Sequence, residues 1–239
     1  MKNRFRDVGK NHPQDPRLPL SVFRQVPATI DELLSKEEYG LLMEHMGNGN
    51  PINHFLVIYR DDHGKPRYAK ARSCNRREVA ASWTYDSIKG RAKQKTAIGL
   101  YPKNPANTST WGALDFDAHS GNDELAKDRS IKAFSLLLTY PNRYLLLSAS
   151  GRGYHVFVFA REPRPVPEWA LLLKNTCESI GVAIQDGVCE TFPNEHAESQ
   201  EVGRGIRVPG AVNPTTDEPE IILAEVSSPH LPRPKNAVS

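Results

Sequence analysis

Two apolar, β-rich runs, YLLLSAS at 144–150 and YHVFVFA at 154–160, stand on either side of a bare Gly151-Arg152-Gly153. Short apolar runs joined by so tight a glycine turn read as adjacent strands. The segments around them fall into an alternating order. STWGALDFD (109–117) reads as a strand, and 122–140 as a helix with Ile131, Phe134 and Leu138 on one face. Past the glycine turn, Pro167 opens a helix in which Trp169, Leu172, Leu173, Thr176 and Ile180 recur at helical spacing. Short strands near 188–192, 205–208 and 220–226 follow. The β-α-β-β-α-β order predicts an α+β class. It implies a ferredoxin-like, RNA-recognition-type core over about 106–226, one mixed or antiparallel sheet with helices on one face.

The first part is organised differently. Residues 1–28 are rich in Pro and Arg and poorly patterned, and are expected to form a surface arm. A helix is expected at about 30–46, opened by a Thr29-x-x-Glu32 capping box and closed at Gly47. HFLVIYR and RYAKARS flank Asp-Asp-His-Gly-Lys-Pro as a hairpin, 75–93 is more helical, and TAIGLYP (96–102) returns to strand. A mixed α/β N-terminal lobe at about 29–105 thus precedes the core within one domain, 29–226. Residues 227–239 read as a Pro-rich tail or linker.

Charge is unevenly spread. Residues 1–109 carry 19 Lys and Arg against 11 Asp and Glu, whereas 110–239 carry 12 against 17. Within 65–103 there are 11 basic and 2 acidic side chains. Such an excess is the footprint of a polyanion partner or, more simply, a solvated basic helix face. No apolar run approaches the roughly 18 residues of a membrane span, and the N-terminus has no apolar signal region. Cys74, Cys177 and Cys189 lie far apart, which speaks against a disulfide scaffold and a Cys-rich zinc site. The expectation is a soluble cytoplasmic protein with no membrane partner and no zinc.

The sharpest chemical feature is Leu114-Asp115-Phe116-Asp117 at the end of an apolar strand. Alternation puts Asp115 and Asp117 on one face, about 7 Å apart. They repel unless a cation sits between them, and Mg²⁺ suits one or two carboxylates completed by water and phosphate. Asp-x-Asp also occurs in glycosyltransferases, nucleases and ordinary loop ends. The second feature is the glycine turn, where Gly151 and Gly153 allow close approach to a ligand. Ser150 and Arg152 can donate to phosphate there, and His155 opens the next strand. The simpler reading is a polar hairpin with a structural histidine. Third come Glu190 in a short apolar strand and Arg207 in GRGIRVP, each of which, taken singly, reads more simply as a surface charge than as a ligand.

Taken in order, the Asp-x-Asp strand, the Ser-Gly-x-Gly-x-His strand–turn–strand and the carboxylate strand resemble the archaeo-eukaryotic primase superfamily, the primase-polymerases. SASGRGYHVFVF and CETFPNE…GIRVPG are most similar to primases of plasmids, phages and conflict systems, over roughly 96–226. The resemblance implies a modified RNA-recognition fold and prokaryotic or mobile-element origin. It implies Asp115, Asp117 and Glu190 as ligands of two Mg²⁺ or Mn²⁺ ions, and His155, Ser150, Arg152, Gly153 and Arg207 around an incoming NTP or dNTP. The expected reaction is template-directed nucleotidyl transfer to a 3′-hydroxyl on single-stranded DNA. Arg72, Arg76, Arg77, Lys93 and Lys95, with Trp83, Tyr85 and Tyr101 interspersed, would hold template and primer, and a helicase or other partner would act in trans. Where relatives often show Phe-Pro-Lys-Gln, this chain has Phe192-Pro193-Asn194-Glu195, and Phe157 replaces a frequent tryptophan. The competing classes are a metal-dependent nuclease, which needs no triphosphate cradle, a glycosyltransferase, and a non-catalytic module that binds single strands.

Overall fold

The computed structural model describes residues 23–47, 55–70, 96–118, 121–138, 143–149, 151, 153–194, 203–214 and 216–226. The elements of the second part follow the apolar periodicity of the sequence. They are β5 (Thr108–Asp117), α3 (Asp123–Leu137), β6 (Arg143–Ala149), β7 (Gly153–Pro165), α4 (Val166–Ser179), β8 (Cys189–Phe192), β9 (Ile206–Arg207) and β10 (Ile221–Val226). Before them come β1 (Phe23–Thr29), α1 (Ile30–Leu33), α2 (Lys36–Gly47), β2 (Phe55–Arg60), β3 (Pro66–Lys70) and β4 (Thr96–Leu100).

A six-stranded sheet runs in the order β1-β10-β6-β7-β5-β8, and a four-stranded one in the order β3-β2-β4-β9. Within the larger sheet, β6-β7-β5-β8 reproduce the interleaving of a ferredoxin-like core, with each neighbour antiparallel. Strands β10 and β1 then extend this core beyond β6.

Strand β5 is buried along most of its length because both faces are covered. Leu114 and Phe116 share an apolar cluster with Val156 and Val158 of β7, Phe134 and Leu137 of α3, and Trp169 and Leu173 of α4. On the opposite face Trp111 and Ala113 join Phe157 and Phe159, Met43 and Met46 of α2, and Phe55 and Ile98 of the small sheet. Helices α3 and α4 therefore occupy one face, as the sequence suggests, but α2 and the small sheet cover the other. Two hydrogen bonds fasten this second layer: Trp111 Nε1 donates to the Met46 carbonyl at 2.8 Å in the interior, and, in a partly buried bond, Thr110 Oγ1 to that of His45 at 2.8 Å. Alternation then delivers Asp115 and Asp117 to the half-buried end of the second face.

Three expectations need correction. The arm expected over 1–28 ends in a strand, since Phe23–Thr29 pairs with β10, while residues 1–22 lie outside the described ones. The helix expected at 30–46 is broken at Leu34, whose extended backbone ends α1. A second capping box, Ser35 to Glu38, starts α2: the Glu38 N–H donates to Ser35 Oγ at 3.2 Å and the Ser35 N–H to Glu38 Oε2 at 2.5 Å. The core also gives a strand to the N-terminal lobe, because β9 completes the small sheet against β4. The helical reading of 75–93 falls outside the described residues.

Candidate active site

Strand register brings the chemistry into one row. Asp115 pairs directly with Glu190 of β8 on one side and with His155 of β7 on the other. His155 in turn pairs with Ser148 of β6. Directly paired residues point the same way, so Glu190, Asp115, His155 and Ser148 line one face from strand to strand. Asp117 stands two residues on from Asp115, opposite Gly153. This close approach is why residue 153 is a glycine: a Cβ there would lie 2.3 Å from the Phe116 carbonyl oxygen. Gly151 takes a φ of +78°, which lets the chain turn back within three residues.

His155 is 2% exposed and lies between two carboxylates. Its Nε2 is 3.3 Å from Asp115 Oδ1. Its Nδ1 is 2.5 Å from Glu220 Oε1, off the line of an ideal hydrogen bond. Burial disfavours the imidazolium, but Asp115 and Glu220 outweigh it and raise His155 to about 10. Burial likewise favours a neutral Glu220, yet His155 first, then Arg207 and the Gly210 N–H, hold its carboxyl below the usual range. The Gly210 N–H donates to Glu220 Oε2 at 2.8 Å.

Glu190 is half-buried, and burial raises its carboxyl above the usual range. Arg204, whose Nη1 contacts Glu190 Oε1, opposes this, while Asp115, Asp186 and Asp117 reinforce it. Glu190 also lines a cleft of about 520 Å³ along β8, together with Lys174, Asn194 and Arg204. Arg207 lies on β9 opposite Gly99, with one guanidinium nitrogen buried. Among the described residues, no three His, Cys, Asp or Glu side chains converge as a ready-made metal cage. The donors still suit a hard divalent cation: oxygen atoms only, on one face, with Glu190 destabilised as an anion by both aspartates. Mg²⁺ completes its shell with water and phosphate oxygens, so an open carboxylate set fits it.

Of the residues singled out from sequence, Asp115, Asp117, His155, Gly153 and Glu190 come together, with Arg207 beside Glu220. Ser150, Arg152, Arg72, Arg76, Arg77, Lys93, Lys95, Trp83 and Tyr85 lie outside the described residues. Tyr101 is buried. Sequence reasoning missed Glu220 and Arg204. Glu220 was findable, because it precedes Ile222 by two residues and so shares the inward face of that strand.

The core is thus an α+β domain of ferredoxin-like interleaving, with acidic, histidine and hydroxyl side chains in one row. The chain belongs to the archaeo-eukaryotic primase domain family of TOTE conflict systems, whose family model matches residues 54–224. That family places it among nucleotidyltransferase domains of the primase-polymerase kind. Among solved structures, it is similar to the polymerase domain from Mycobacterium tuberculosis ligase D in complex with DNA. The identity is 11% and the TM-score 0.47, covering 82% of this chain and 84% of that one. In sequence, no curated protein matches it.

Proposed function

We propose that this chain is a primase-polymerase that carries out template-directed nucleotidyl transfer from NTPs or dNTPs to a 3′-hydroxyl on single-stranded DNA, in the service of a conflict system. The observation that carries the reading is the cross-strand row Glu190–Asp115–His155–Ser148, set beside a glycine turn in a chain of this family. Asp115 and Asp117, with Glu190, would hold Mg²⁺ or Mn²⁺. The bound ions supply charge neutralisation at the phosphoryl oxygens and acidify the attacking hydroxyl.

The chain's own residues do the rest by positioning. His155, held between Asp115 and Glu220, would be a cation beside the carboxylates and favour an anionic triphosphate tail. Ser150 and Arg152 flank Gly151 and add donors to that tail, and Arg207 adds a further guanidinium. Arg204 neutralises Glu190 between turnovers. Arg72, Arg76, Arg77, Lys93 and Lys95 would track the template backbone.

The test is primer-free synthesis on single-stranded circular DNA with labelled nucleotides and either cation, beside Asp115→Ala/Asp117→Ala. Short products from the parent alone support the reading, and exchanging NTP for dNTP fixes the sugar. No product, even on an annealed primer, overturns it in favour of a module that only binds single strands.

A further inference from the structure

An imidazole on a strand has a broad, roughly two-fold choice at χ2, so its own backbone does not decide which nitrogen faces the site. Phe157 packs edge-on against the ring at 5.8 Å, a contact either orientation satisfies. Glu220 does decide. Its Oε1 lies 2.5 Å from Nδ1, and a flipped ring would set a carbon against that oxygen. With Nδ1 committed there, Nε2 is left facing Asp115 at 3.3 Å.

Glu220 is itself held from behind. Its Oε2 takes the Gly210 N–H at 2.8 Å, and its own N–H donates to the Ala211 carbonyl at 3.2 Å. Gly210 has a φ of +80°, and a Cβ there would lie 2.4 Å from the Ile30 Cβ, so this loop sits directly on α1. The neighbouring Pro209 carbonyl accepts the Tyr39 hydroxyl of α2 at 3.0 Å. A line of contacts thus runs from α1 and α2 through 209–211 and Glu220 to His155 and Asp115. Glu220 is buried, and its carboxylate meets the Nδ1 side of the His155 ring while Asp115 meets Nε2.

We propose that Glu220 is the positioning residue for His155, fixing the imidazole so that Nε2 is presented to the carboxylate end of the site. The kinetic part of this inference rests on the primase-polymerase reading; the ring geometry does not.

The experiment uses the full chain with ¹⁵N-labelled histidine. His155 ring signals, assigned by their loss in His155→Gln, are compared between the parent and Glu220→Gln. Glutamine keeps the shape but removes the charge and replaces one of the two carboxylate oxygens by an amide nitrogen. The ring signals move, and KM for nucleotide rises about 10-fold or more while kcat changes far less. In the His155→Gln background, Glu220→Gln adds nothing further to KM. Unchanged ring signals overturn the proposal, as does a KM effect of equal size without His155. Should Glu220→Gln fail to fold, Glu220→Asp, which withdraws the carboxylate by one methylene, gives the same comparison. If the parent uses no nucleotide, the functional reading falls, and the ring signals still decide the place of Glu220.

Discussion

Asp115 and Glu190 stand directly opposite one another on β5 and β8, two carboxylates in a single cross-strand pair. Like charges so placed destabilise a sheet, and here each is set against a cation, His155 for Asp115 and Arg204 for Glu190. The pair is a standing electrostatic strain at the end of an otherwise apolar strand.

Glu190→Gln removes that repulsion. Without divalent cation the variant should melt slightly higher than the parent, by up to about 1 kcal/mol in stability, while synthesis falls sharply. Calorimetry with and without Mg²⁺ checks this. A variant that melts lower in both conditions would show that the Arg204 contact outweighs the repulsion.

Arg204→Ala withdraws the positive charge that competes with a cation for Glu190. The Mg²⁺ concentration giving half-maximal synthesis should drop by a few fold, and a titration of activity against metal reads it. A rise instead would mean that Arg204 serves the nucleotide and not the carboxylate.

The buried charges give the fold a pH signature. His155 titrates near 10 in the folded chain against 6.5 ordinarily. Its raised value stabilises the fold fully below 6.5, and that contribution is lost as pH rises toward 10. Glu220 has the opposite sign: its lowered value stabilises the fold above the usual carboxylate range and fails in acid. The midpoint of thermal unfolding should therefore fall on the alkaline side as pH rises from 6.5 toward about 10. His155→Gln should flatten that limb, and identical limbs in both proteins would rule the imidazolium out.

Gly153→Ala drives a methyl group into the Phe116 carbonyl of β5, a backbone atom that cannot step aside. Overpacking of this kind costs about 1–3 kcal/mol. The separation of β5 from β7 should also displace Asp117, so synthesis falls further than stability alone explains. Denaturant melts beside activity on the still-folded fraction separate the two effects.

Most of the core was legible because long apolar elements announce themselves. The runs of β6 and β7, the face of α4 and the Asp-x-Asp end of β5 all follow from periodicity alone. What escaped depends on partners distant in sequence. Phe23–Thr29 has no strong pattern of its own and becomes a strand only because β10 offers an open edge. β9 is two residues long and exists by pairing with Gly99 and Leu100. Ser35-x-x-Glu38 was visible as a second helix start, yet the apolar spacing across Leu33 and Leu34 masks the break. At the site, three carboxylates and the histidine were readable as residue types. Glu220 could be placed on the inward face by its spacing from Ile222, but its contact with His155 depends on the fold and not on spacing.

The pairing of β1 with β10 has an architectural consequence. Phe23 and Val226 are register partners, so the first and last of the described residues lie about 5 Å apart. This pair lies at the opposite end of β10 from the 149–153 turn, since Ile221 pairs with Ala149. The two ends of the described residues thus share one side of the large sheet, at the far end of β10 from the row Asp115–His155–Ser148.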